Sequence, residues 1–104
     1  MEQALIVVIK LSDGHWGNET DDALIYSLEE ELMDRINNSG FGHYDGHEFG
    51  GGYCSLFMYC HNVDKLYELT IPILKQFYIP RKSFIVKQLG ESREERVNLP
   101  FSVS

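Results

Sequence analysis

The chain is poor in residues that staple, break or anchor a fold: among its 104 residues are two cysteines, three prolines and one tryptophan. Two cysteines cannot build the disulfide framework of a small secreted domain. Cys54 and Cys60 lie in the run Tyr53-Cys54-Ser55-Leu56-Phe57-Met58-Tyr59-Cys60, which alternates like a strand. Six strand residues put their Cα atoms roughly 20 Å apart, against about 7 Å at most for a disulfide. The two are expected to be buried reduced thiols, and their spacing fits no redox or structural-zinc motif. A long hydrophobic run is missing as well. The apolar stretch Ala4 to Ile9 is far short of the roughly 20 residues that a bilayer span needs, so no membrane partner is expected. The opening Met1-Glu2-Gln3 has an acid where a secretory signal carries lysine or arginine, which points to a cytoplasmic protein.

Positive charge is scarce too. Nine lysines and arginines face sixteen acids, for a net charge of −7. Residues 1–48 hold eleven acids and two bases, whereas residues 49–104 hold five acids and seven bases. An acidic surface repels phosphate, so no nucleic-acid partner is expected and a basic protein partner suits it better. No phosphate-binding glycine loop, nucleophile elbow or zincin motif is present. No catalytic residue is assigned, and the chain reads as a non-enzyme that needs no cofactor.

The composition, 43% hydrophobic and 24% charged, is that of one globular domain spanning residues 1–104. Leu5 to Leu11 reads as a central strand, followed by turn formers from Ser12 to Asn18. Asn18 or Thr20 caps a helix whose Leu24, Ile25, Leu28, Leu32 and Ile36 share a stripe, with Gly40 as its stop. In the next strand His43, Asp45, His47 and Phe49 are expected on one face, with Tyr44, Gly46 and Glu48 on the other. Gly50-Gly51-Gly52 is the turn into the strand 53–60. Asn62 caps a second helix from Val63 to about Phe77, with a kink or break expected at Pro72. Ser83 to Leu89 is the last clear strand. The charged segment from Glu91 to Arg96 reads as a loop, Val97 to Leu99 as a short optional edge strand, and Pro100 to Ser104 as a tail. The βαββαβ order predicts an α+β, ferredoxin-like sandwich with two helices on one face of a four-stranded antiparallel sheet.

Helices on one side leave the other side of that sheet open. On the strand 53–60, Cys54, Leu56, Met58 and Cys60 suit the core, which sends Tyr53, Ser55, Phe57 and Tyr59 to the open face. Tyr53, Phe57 and Tyr59 are therefore candidate partner-binding residues for a homo-oligomer or a second protein. Glu29 and Glu30, beside Glu31 and Asp34 on the first helix, offer it negative charge. The alternative is a metal- or small-ligand site: His43, Asp45 and His47 are all types that bind divalent ions. Three ligands from one strand would need help from Asp13, His15 or Glu48.

Ser12-Asp13-Gly14, the acidic helix start Asn18 to Asp22, and Asp45-Gly46-His47-Glu48-Phe49-Gly50-Gly51-Gly52 together resemble a group of small uncharacterised bacterial proteins. The resemblance runs through Arg93-Glu94-Glu95-Arg96. It implies a bacterial origin and a single domain, and it transfers no catalytic residue. In size and charge alone the chain also looks like immunity proteins, which neutralise a basic toxin.

Overall fold

The computed structural model describes residues 2–12, 19–90 and 93–99. In chain order its elements are β1 (Gln3–Lys10), α1 (Glu19–Asn37), β2 (Gly42–Gly50), β3 (Tyr53–Cys60), α2 (Val63–Leu74), β4 (Phe84–Gln88) and β5 (Glu94–Asn98). The architecture is α+β: one antiparallel sheet in the order β2-β3-β1-β4-β5, with the two helices over one side. The sheet has five strands where four were expected. The extra one is β5, which pairs with β4 from Phe84↔Asn98 to Gln88↔Glu94 and joins Glu94-Glu95-Arg96 of the segment read as a loop to Val97 and Asn98 of the optional edge strand. Glu94-Glu95-Arg96 has little intrinsic strand preference, but an outermost strand tolerates charge, and charge there discourages further pairing. The Asn18 cap, the turn formers 13–18 and the tail 100–104 lie outside the described residues.

β1 is central and pairs on both sides, Leu5 with Met58 of β3 and with Lys87 of β4. Its odd-numbered residues Leu5, Val7 and Ile9 are fully buried under the helices. They meet Cys54, Leu56, Met58 and Cys60 from β3, Ile85 from β4, and Ile25, Leu28, Leu32 and Ile36 from α1. α2 adds Val63, Leu66, Ile73 and Leu74. Asn62 caps it by accepting a hydrogen bond from the Lys65 amide at 3.3 Å. The helix runs past Pro72 and ends two residues later at Leu74, shorter than the reach to Phe77 that the sequence suggested. Pro72 has no N–H to give the Glu68 carbonyl, and the helix ends within a turn of it.

One polar group is drawn into the start of α1. Asp21 is 4% exposed and accepts hydrogen bonds from the Ser12 amide at 2.8 Å and the Ser12 hydroxyl at 2.7 Å. Its position in the first helical turn favours the negative charge. Both cysteines are free and buried. Burial, with a smaller contribution from the charge of Glu29, pushes the Cys54 thiol up to about 12. Among the described residues no helix is long and apolar enough to cross a membrane.

Candidate binding surfaces

The register defines what the uncovered side of the sheet presents. Read from β2 to β5, one row is Gly46, Phe57, Ile6, Val86 and Arg96. The row on one side of it is Glu48, Ser55, Val8, Phe84 and Asn98, and that on the other is His43, Tyr59, Ala4, Gln88 and Glu94. Tyr53 and Lys10 extend the face at the hairpin end. Tyr53, Phe57 and Tyr59 are thus on the open face, each partly exposed, while their neighbours Cys54, Leu56, Met58 and Cys60 are buried. Two rings carry the chain's own cations: the Arg96 guanidinium lies 3.6 Å over Phe84 and the Lys10 ammonium 5.3 Å from the centre of Tyr53. His43 leans on Tyr59 with ring centres 5.8 Å apart.

The other surface begins with an irregularity in β2. Its pairing with β3 steps from Tyr44↔Met58 to Gly46↔Phe57, so Asp45 is an extra residue and the strand bulges. Gly46 has a φ of 140°, backbone that only glycine adopts readily. The Tyr44 amide, on the outer edge, is satisfied by the Asn37 side chain at 2.8 Å. The extra residue reverses the alternation beyond it. Tyr44, His47 and Phe49 therefore pair with core-facing Met58, Leu56 and Cys54, whereas His43, Gly46 and Glu48 pair with open-face residues. This corrects the expected sharing of one face by His43, Asp45 and His47.

Turned towards α1, Tyr44 and His47 meet one carboxylate. The Tyr44 hydroxyl donates to Glu29 Oε2 at 2.6 Å, and His47 Nδ1 lies 2.6 Å from the same oxygen. Burial, then the bond to Glu29, holds the Tyr44 phenol well above its ordinary value, so it stays a donor. In the neutral imidazole, donation from Nδ1 to Glu29 leaves Nε2 as an acceptor. Glu29 and Glu30 differ accordingly: the Glu29 side chain is 19% exposed and engaged by β2, whereas Glu30 stands exposed beside Tyr26, whose phenol it raises through a hydrogen bond.

The candidate metal ligands are not gathered. His43 is on the open face against Tyr59, Asp45 is exposed in the bulge, and His47 is bound to Glu29 on the opposite face. Glu48 lies on the open face, and Asp13 and His15 are outside the described residues. Among the described residues no three His, Cys, Asp or Glu side chains converge as a metal site would require. His61, read from sequence as a turn residue, lines a hollow of about 270 Å³ with Glu2, Phe41, His43 and Tyr59 at the sheet's end. The role of Glu29 as a shared acceptor has one sequence signal, the Asp45-Gly46 pair inside a strand, which marks a bulge. Family models, curated proteins and solved structures contain no match to this chain.

Proposed function

We propose that the chain is a non-enzymatic binding module that self-associates through the open face of its sheet. The observation that carries this reading is the row Phe57-Ile6-Val86 flanked by Tyr59 and Phe84, partly exposed apolar and aromatic side chains on the side of the sheet away from the helices, with Ala4 and Val8 buried between them. A contiguous apolar face of this kind marks an interface. Its rim suits a second copy. β1 is the middle strand of five, so a two-fold axis along β1 lays β2 of one copy over β5 of the other. His43 then faces Glu94, and Arg96 reaches Gly46, which offers no side chain.

The strand order β2-β3-β1-β4 with both helices on one side fits a ferredoxin-like sandwich extended by β5. The partners are protein rather than nucleic acid, because the net charge is −7 and phosphate would be repelled. The reading involves no cofactor and places the protein in the cytoplasm of a bacterium, where the acidic outer side of α1 stays free for solubility or for a basic partner in the manner of an immunity protein. Sedimentation equilibrium over a range of concentrations tests it. The wild type is expected to approach twice the 12.0 kDa chain mass, and Phe57→Arg to remain at the single-chain mass with an unchanged circular dichroism spectrum. A wild type that stays monomeric throughout contradicts the proposal.

A further inference from the structure

The joint between α1 and β2 holds a second feature, independent of the open face. A hollow of about 240 Å³ is lined by Asp22, Ile25, Tyr26, Glu29, His47 and Phe49. The first four recur at positions i, i+3, i+4 and i+7 of α1 and so share one flank of the helix. His47 and Phe49 are two apart on β2 and face the helix only because of the bulge at Gly46. Their rings meet edge to face, with centres 5.3 Å apart at 84°.

The chemistry of this lining is one-sided. Asp22 and Glu29 are carboxylates, and Glu29 is already the acceptor for Tyr44 and His47. In its neutral form, with Nδ1 bonded to Glu29, His47 offers its other ring nitrogen as an acceptor. Phe49 and Tyr26 contribute aromatic rings, Ile25 an apolar floor. No cation is among the lining residues. Of the two bases in residues 1–48, Arg35 lies 3.5 Å from Glu31 and the Lys10 ammonium bonds the carbonyls of Leu11 and Gly52. Such a site repels anions, and the hydroxyl of Tyr26 in its lining is already bonded to Glu30. It matches a flat, donor-rich cation, which stacks on aromatic rings and gives its N–H groups to carboxylate and imidazole acceptors.

We propose that this hollow is a receptor for the guanidinium group of an arginine on a partner protein. Asp22 supplies the charge, Phe49 and Tyr26 the stacking walls, and His47, oriented by Glu29, an acceptor for one N–H. Lysine fits less well, because its ammonium is a strongly hydrated point charge with no plane to stack.

NMR titration of the ¹⁵N-labelled full chain at constant ionic strength tests the site, with N-acetyl-arginine N-methylamide, its lysine analogue and its uncharged citrulline analogue as probes. The arginine probe is expected to give saturating shifts at Asp22, Tyr26, His47 and Phe49, with both analogues at least tenfold weaker. Asp22→Asn should weaken the arginine probe by a similar factor. Phe49→Leu, which leaves the helix start untouched, should act in the same direction. Equal response to citrulline or lysine, saturation at a different surface, or no saturation at all overturns the proposal. Uncapped arginine binding more tightly than the capped probe would also overturn it, in favour of a small metabolite. Because Phe57 leaves the sheet on the side opposite to these side chains, the Phe57→Arg variant should bind the arginine probe as tightly as the wild type.

Discussion

β2 and β3 are hairpin partners joined by the two-residue turn Gly51-Gly52, both at positive φ, yet they divide the work of the molecule differently. β3 alternates without interruption, so one set of side chains closes the core and the other builds the open face. β2 alternates only as far as Tyr44 and then reverses. That single inserted residue links the edge of the sheet to α1 through Glu29. A regular strand thus produces a surface, and an irregular one produces a site.

Breaking the regular strand should have the largest effect. Leu56 is fully buried, and Leu56→Ala is expected to lower stability by about 2–5 kcal/mol in urea unfolding. Phe57→Arg, one residue along, should cost far less, because that side chain leaves the sheet on the open side. Comparable losses for the two would mean that the two faces of β3 are not distinct.

Breaking the irregular strand comes next. Gly46→Ala forces a Cβ into backbone at φ 140° and should cost about 1–3 kcal/mol, together with loss of the Tyr44 and His47 contacts to Glu29. Gly50→Ala, in the same strand but without positive φ or a neighbour within 4 Å of the added carbon, is the control and should be nearly neutral. Glu29→Gln should cost about 1–3 kcal/mol, since a charged acceptor shared by two donors is lost. It should also bring the Tyr44 phenol closer to its ordinary value in an alkaline absorbance titration, because one of the two main causes of its rise is removed.

The smallest effect sharpens the comparison at the core beneath both strands. Burial pushes the folded Cys54 thiol up to about 12. A group raised on folding contributes stability that is fully present below the unfolded value and lost as pH rises through the folded one. Unfolding midpoints should therefore fall progressively above pH 9, and Cys54→Ala should flatten that slope. An equally steep decline in the variant would assign it to other groups.

Much of this arrangement is legible in the sequence, and the reasons can be given residue by residue. The stripe from Ile25 to Ile36 and the alternation of 53–60 are long periodic signals in which burial and pattern agree, so helix, strand and the sides they face follow directly. β5 was obscured because Glu94-Glu95-Arg96 is charged, and pairing with β4 rather than propensity makes it a strand. β2 reads as an edge strand, but a strict period of two assigns His47 to the wrong side. The faces of a strand are determined by pairing register, and one extra residue inverts all that follows. Glu29 and Glu30 read as one acidic patch because they are adjacent in the chain, although adjacent helix positions point about 100° apart.

Intermolecular contacts in a mixed sample of isotope-labelled and unlabelled chain test the sheet-face association most directly. An isotope-filtered NOE spectrum is expected to connect the rings of Phe57 and Tyr59 in one copy to Ile6 and Val86 in the other, and to lose those peaks in Phe57→Arg. Peaks joining residues of α1 or α2 across copies, or no intermolecular peaks at concentrations where the chain is pure and folded, would contradict association through the open face.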